Sequence, residues 1–228
     1  GDLFSPQKID DEIKTPYQTD YFDQVEVSEE VLENGIRLVF HVVERPILQE
    51  VRYDGNSKIL SDRLKEKVTL VTGVSVSQKQ IKDNTERLKD LYREEGYFEA
   101  RVLPVVRISD SKPGDRRATV TYFIEEGKKI RIREVKVIGV HAVSERDVRK
   151  TIKTKSYFVL TSWLTGSGIY KEETAAEDVE GIRSLYLDRG YIAVQVGDAV
   201  LDTDRTGLWM TVSFTLTEGD QYRIRKID

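Results

Sequence analysis

The chain has 228 residues, 33% charged and 39% hydrophobic, with a net charge of −4 and no cysteine. That length suits two or three small domains better than one large one. Mixed charge signs with a slight acidic excess exclude the basic footprint of a nucleic-acid binder, the missing cysteines exclude disulfides and thiol chemistry, and no apolar run reaches the length of a membrane-spanning helix.

Residues 1–46 read as the tail of a repeat unit: a second helix followed by a β-hairpin. Tyr17 and Tyr21-Phe22 stand as Tyr92 and Tyr97-Phe98 stand later. Asn34-Gly35 is a two-residue hairpin signal, and Ile36, Leu38, Phe40 and Val42 then alternate as a central strand with one buried face. Pro16 falls in the last turn of the expected helix, where it weakens or ends it, and Asp20 replaces the glycine of the later copies. Without its first strand and first helix, this unit is expected to be strained, mobile or paired with another chain. The abrupt start at Gly1-Asp2 reads as the edge of an excised piece, so a missing signal peptide says little.

Residues 47–130 read as a complete unit of order β-α-α-β-β. A first strand ends in Val51-Arg52-Tyr53-Asp54-Gly55. Leu64 and Val68 mark a short helix, and Ile81, Thr85, Leu88, Leu91 and Tyr92 a longer one at helical spacing. Gly96 closes that helix in the left-handed conformation, and Tyr97 is expected to enter the second strand directly. That strand spans 97–108 and carries Pro104, which places it at a sheet edge. A turn-rich loop at 110–115 leads to the third strand, where Ala118, Val120, Tyr122 and Ile124 alternate with polar residues or Phe123. Glu126-Gly127 closes the unit.

Residues 131–222 repeat this order. Val135-Lys136-Val137-Ile138-Gly139 matches the first strand's end, and Leu185-Tyr186-Leu187-Asp188-Arg189-Gly190-Tyr191 matches Leu91-Tyr92-Arg93-Glu94-Glu95-Gly96-Tyr97. Ser144, three residues before Asp147, caps the first helix, marked by Val148 and Ile152. The second strand, 191–201, carries Gly197, and the third alternates Leu208, Met210, Val212, Phe214 and Leu216. Glu218-Gly219 matches Glu126-Gly127. This copy gains ten residues between its first two landmarks (Gly55 to Gly96 against Gly139 to Gly190), which places a long inter-helix loop at 156–170. Residues 223–228 resume as the start of a following repeat. The fold class is therefore α+β: tandem small units, each a three-stranded mixed sheet in the order 1-3-2 with two helices on one face.

Hidden chemistry finds little support. His41, on the outer face of a strand, and His141, in a turn, lack a partner at metal-ligand spacing. Asp10-Asp11-Glu12 and Glu172-Glu173 resemble carboxylates at helix starts. Gly166-Ser167-Gly168 lacks the lysine pattern of a phosphate loop. No enzyme activity, cofactor, metal or small-molecule substrate is expected.

The repeated β-α-α-β-β order, the Leu-Tyr and Gly-Tyr pair between second helix and second strand, and the Val51 to Asn56 strand end resemble the polypeptide-transport-associated (POTRA) family. Glu44-Arg45-Pro46 is similar to the linker between such domains, and Ser162-Trp163-Leu164-Thr165-Gly166-Ser167-Gly168-Ile169-Tyr170 to the long loop of a third domain in tandem arrays. Pro16 and Asp20 depart from the pattern. The resemblance implies a place on the periplasmic side of the bacterial outer membrane, continuous with a C-terminal membrane β-barrel. It implies unfolded β-barrel precursors and accessory lipoproteins as partners, in assembly and insertion of outer-membrane proteins. A two-partner secretion transporter or a cell-division protein is the alternative setting.

An edge strand offers unpaired N–H and C=O groups, to which an extended segment of another chain can add. The candidate edges are the two second strands, with Ala100, Val102, Pro104, Val106 and Ile108 in one and Ala193, Gln195, Gly197, Ala199 and Leu201 in the other. The plainer alternative is that these edges face solvent, with Pro104, Gly197 and Asp198 as guards against aggregation. A second candidate surface is the aromatic loop carrying Tyr157, Phe158, Trp163 and Tyr170, since aromatic side chains are favoured interface anchors; the alternative is that they pack onto their own or a neighbouring domain.

Overall fold

A computed structural model describes residues 22–32, 35–110 and 115–223; the side chains of Trp163 and Leu164 lie outside the described part. The expectations for Asp10-Asp11-Glu12, Pro16, Tyr17, Asp20, Tyr21, Asn34 and residues 111–114 and 224–228 lie outside it as well. Two compact units divide the chain, one taking residues up to Lys89 with Arg101–Glu125, the other Asp90–Ala100 with the residues from Glu126 onward.

In the first unit, β1 (Phe22–Leu32) and β2 (Gly35–Glu44) form an antiparallel hairpin, with Leu32 opposite Gly35. Val25 is buried, but Ile36, Phe40 and Val42 of β2 are exposed, so the alternation read from the sequence is present without a buried face to match. The Arg116 guanidinium donates to the Glu44 carbonyl at 2.8 Å.

The second sheet has the expected order of first, third and second strand. β3 (Ile47–Asp54) runs parallel to β5 (Arg116–Glu125), and β4 (Arg101–Asp110) runs antiparallel on β5's other side. Ala118, Val120, Tyr122 and Ile124 on β5 are buried, whereas Thr119, Thr121 and Phe123 are not. This period of two is what a sheet covered on one face requires. The cover comes from α1 (Ser61–Lys67), which buries Leu64, and α2 (Gln78–Glu94), which buries Ile81, Leu88, Leu91 and Tyr92 along one stripe. The first strand is also held at its start by the segment between the helices: Leu48 N–H donates to the Val74 carbonyl at 2.9 Å and Gly73 N–H to the Leu48 carbonyl at 2.7 Å.

The second unit repeats the plan with β6 (Arg131–Ile138), α3 (Glu145–Thr151), the short α4 (Ser162–Thr165), α5 (Glu172–Leu187), β7 (Gln195–Val196), β8 (Val200–Thr203) and β9 (Trp209–Thr217). β9 is central, parallel to β6 and antiparallel to β7 and β8. Ile132, Val148, Ile182, Tyr186, Val212 and Phe214 form its core, each at most 0% exposed. Ser144 caps α3 as expected, its hydroxyl accepting from Asp147 N–H.

The repeated glycines have a steric cause. Gly55 and Gly139 have φ of 85° and 94°, and a Cβ on either would sit 2.1 Å from a central-strand carbonyl, that of Ile124 or Leu216. Any side chain there meets both a strained backbone and an atom that cannot move aside.

Two expectations are corrected. The tyrosine after each helix does not enter a strand: residues 97–100 and 191–194 first make a turn, closed by Ala100 N–H to the Tyr97 carbonyl at 3.2 Å and Val194 N–H to the Tyr191 carbonyl at 3.3 Å. Ala100 and Ala193 therefore precede the strands. The second strand of the last copy is also broken. Val196 pairs with Leu216 and Val200 with Ser213, so this strand carries one residue more than its partner between the two pairs. That is a β-bulge, with the side-chain-free Gly197 at its start, and it interrupts the edge.

Candidate functional site

The Leu-Tyr and Gly-Tyr motif is a clasp within the fold. At the end of α2, Gly96 N–H donates to the Arg93 carbonyl at 2.9 Å and Tyr97 N–H to the Tyr92 carbonyl at 2.8 Å; at the end of α5 the same two bonds run from Gly190 to Leu187 and Tyr191 to Tyr186. This is the Schellman closure of a helix. The Tyr92 hydroxyl donates to Glu126 at 3.0 Å and the Tyr186 hydroxyl to Glu218 at 2.7 Å. Burial, reinforced by these carboxylates, pushes both phenols well above their ordinary value. The glycine carbonyls then accept from the next linker, Ile130 N–H to Gly96 and Tyr222 N–H to Gly190, each at 2.8 Å.

Glu218 also accepts from His141 N–H at 2.7 Å and Ala142 N–H at 2.8 Å. Desolvation raises the affinity of its carboxyl for a proton, but these two N–H groups and the Tyr186 hydroxyl outweigh it and hold the group below its ordinary value. His141 thus lies in the loop after β6 with its backbone bound to Glu218. His41 is exposed on β2 with Nε2 3.1 Å from Ser28 Oγ. Among the described residues no group of three or more His, Cys, Asp or Glu side chains could hold a metal.

The edge of β4 is of a different character. β4 pairs with β5 from Arg101↔Glu125 to Asp110↔Arg116, and among the described residues no strand pairs on its other side. Of the candidate side chains, Val102 is buried, Pro104 and Val106 are half-buried and Ile108 is exposed. Up to Val106 they point toward the helix layer. The residues between them meet the uncovered face instead. Leu103 is 62% exposed, Val105 is exposed, and Leu103 lies opposite the exposed Phe123. The signal for these was the same alternation, read one residue out of step. On the β3 side of this face the residues are charged: Glu50, Arg52 and Asp54, with Arg52 and Glu50 paired at 2.7 Å.

The second edge offers less. Gln195 in β7 and Gly197 in the bulge are exposed, Ala199 packs against the core, and Leu201 in β8 is exposed. Where β5 has Phe123, the equivalent position of β9 is Thr215.

The aromatic loop divides. Tyr157 is half-buried, packed edge-on to Trp209 at 6.1 Å between ring centres, with the Arg131 guanidinium 4.7 Å from its own ring centre. Tyr170 lies against Phe98 at 6.4 Å, and burial raises its phenol. Phe158 is 58% exposed, followed by Val159 at 69% and Leu160 at 74%. Trp163 belongs to α4, and its side chain lies outside the described part.

A doubled sheet-and-two-helix unit whose shared motif serves its own packing, and whose exposed features are strand edges and an apolar loop, has the build of a tandem interaction module. The polypeptide-transport-associated domain, described as a surface antigen variable number repeat, matches residues 46–127 and 130–219, and the chain belongs to this POTRA family. The outer membrane protein assembly factor BamA of Nitratidesulfovibrio vulgaris is 32% identical over 227 residues, which cover 100% of this chain and 28% of that protein. The protein of the same name from Neisseria meningitidis serogroup B is 25% identical over 230 residues, with 100% and 28% covered. The chain thus spans 28% of the length of these relatives. The crystal structure of Haemophilus influenzae BamA POTRA3-5 shares the fold, with a TM-score of 0.52, 18% identity, and 77% of this chain and 67% of that one covered.

Proposed function

We propose that this chain is the periplasmic receptor and scaffold segment of an outer-membrane protein assembly factor, acting by presenting backbone rather than by making or breaking bonds. It comprises the end of one POTRA domain (1–46), two complete domains (47–130 and 131–222) and the start of a following repeat (223–228). In the full-length protein it is continuous with a C-terminal membrane β-barrel. Its partners are unfolded β-barrel precursors and accessory lipoproteins, the precursors adding as a strand to the edge of β4.

The observation that carries this reading is the ten-residue β4, paired on one side only among the described residues, beside an apolar strip of Leu103, Val105 and Phe123. Main-chain pairing is nearly indifferent to sequence, which suits many clients. The strip favours clients whose alternate residues are apolar, as barrel strands are. Fixing a flexible client costs about 1–2 kcal/mol of backbone entropy per residue, so binding is modest and release is easy.

Site-specific photocrosslinking in the periplasm tests this. A crosslinker at Leu103 is expected to capture barrel precursors, and one at Lys82 on α2 is not. Equal capture at both positions, or none at Leu103, contradicts the reading.

A further inference from the structure

The first strand of the second unit, β6, has an outer edge of its own. β6 pairs with β9 on one side, and among the described residues no strand pairs on the other. Its start is held there by two bonds, Ile132 N–H to the Gly168 carbonyl and Tyr157 N–H to the Ile132 carbonyl, each at 2.8 Å. Beyond that point a groove of about 310 Å³ lies along the strand, lined by Arg133, Val135 and Val137 on one wall and by Arg149, Ile152 and Lys155 on the other. That volume falls at the lower end of ligand-binding clefts, about 300–1,000 Å³. A shallower hollow lined by Val137, Val140 and Val148 continues it toward the end of β6.

The groove has a cause in the sequence. Val137 stands where the first unit has Tyr53: Tyr53 lies opposite Tyr122 and Val137 opposite Phe214, each two residues before the glycine that meets a central-strand carbonyl. Tyr53 is half-buried and stacks on Tyr122 at 6.0 Å between ring centres. Valine lacks the ring, so space that an aromatic side chain fills beside β3 stays open beside β6. Val135 and Val137 pack against the core yet remain partly exposed, which gives the groove an apolar floor.

Its rim is cationic. Residues 148–171 carry Arg149, Lys150, Lys153, Lys155 and Lys171 and no aspartate or glutamate, in a chain whose net charge is −4. Lys155 gives one proton to the Ile152 carbonyl at 2.9 Å and keeps two. Arg149 is 4.0 Å from Glu145 with both side chains more than half exposed, a weak pair that a ligand can exchange. Arg133 is bridged to Asp204 at 3.0 Å, and Glu134, the carboxylate of the strand wall, to Lys136 at 3.3 Å.

We propose that the groove takes an extended acidic segment of a partner protein, which adds as a strand to the free edge of β6. The edge offers N–H and C=O groups that an extended backbone can pair with, the valines take alternate apolar side chains, and Arg149 and Lys155 meet the carboxylates.

The test is NMR titration of the isotope-labelled chain, at constant ionic strength, with a short capped peptide of alternating valine and glutamate, against one of alternating valine and lysine. Saturable shifts at the amides of Glu134, Lys136 and Ile138 and of Lys153 to Ser156 are expected with the glutamate peptide alone. Val137→Tyr installs the residue that the first unit carries at this place and should abolish those shifts. Arg149→Glu and Lys155→Glu, at exposed positions, should each weaken binding by about tenfold or more, the scale of one hydrogen bond to a charged group, and they keep the test open if Val137→Tyr fails to fold. β4 lies in the other unit, and shifts there report on its own edge. A silent β6, equal binding of the lysine peptide, or wild-type affinity in all three variants overturns the proposal. Self-association of the chain through β6 with no response to peptide also overturns it, by assigning the groove to a second copy.

Discussion

In the sheet of the first unit, β4 runs ten residues along β5 without a break, whereas in the second unit the same place is taken by β7 and β8 with an extra residue between them. The faces beside these edges differ too. Phe123, exposed beside Leu103, becomes Thr215, and Thr121 becomes Ser213. The cores and helix closures are nearly interchangeable. Two copies of one fold have therefore kept their internal parts and diverged at the outer strand. The first has a long edge with an apolar strip that includes Phe123, and the second a short, interrupted edge whose open face keeps the exposed Val200 and Ile138 but has Thr215 in place of Phe123. A bulge at an edge is a common guard against unwanted pairing.

The largest expected effect probes what the copies share. Gly55→Ala and Gly139→Ala each place a Cβ against a carbonyl at positive φ, and each should destabilise its unit by on the order of 3 kcal/mol or more. Thermal denaturation followed by circular dichroism measures this; a loss in one copy only would break the equivalence. Next, Tyr92→Phe and Tyr186→Phe each remove the hydroxyl that donates to Glu126 or Glu218, with an expected loss of about 1–3 kcal/mol in urea unfolding.

The third prediction separates the copies. Val105→Lys sets a charge on the apolar strip and should weaken binding of a barrel-strand peptide by about tenfold, or 1.4 kcal/mol. Val200→Lys, on the broken edge, should leave it unchanged. Equal effects would remove the distinction between the edges.

The smallest effect concerns pH. Ser144, Arg189 and Lys150 bonded to Asp147 hold its carboxyl at about 2, and Glu218 is held below its ordinary value. Both are lowered in the folded state. Their stabilisation is complete above the ordinary carboxylate range and is lost as pH falls through the lowered values, about 2 for Asp147. A carboxyl titration by carbon-13 NMR should find Glu218 ionising below the exposed glutamates, and a midpoint above them contradicts the hydrogen-bond account.

Much of this was legible in the sequence because the repeat shows each landmark twice. Strand order, helix stripes, the Ser144 cap and the edge position of Pro104 follow from period and residue type. The turn at 97–100 was not legible, because Tyr97-Phe98 has the composition of a strand while hydrogen bonding across the helix end sets its geometry. The bulge at Gly197 depends on register against β9, which one strand's sequence does not carry.

The central claim is that β4 accepts a strand along its free side. NMR titration of the labelled chain with a peptide from a barrel strand tests it most directly. The perturbed amides should follow β4 from Val102 to Ile108, with weaker shifts in β5 and none in β7 or β8. Shifts confined to α1 and α2, with β4 silent, would contradict it.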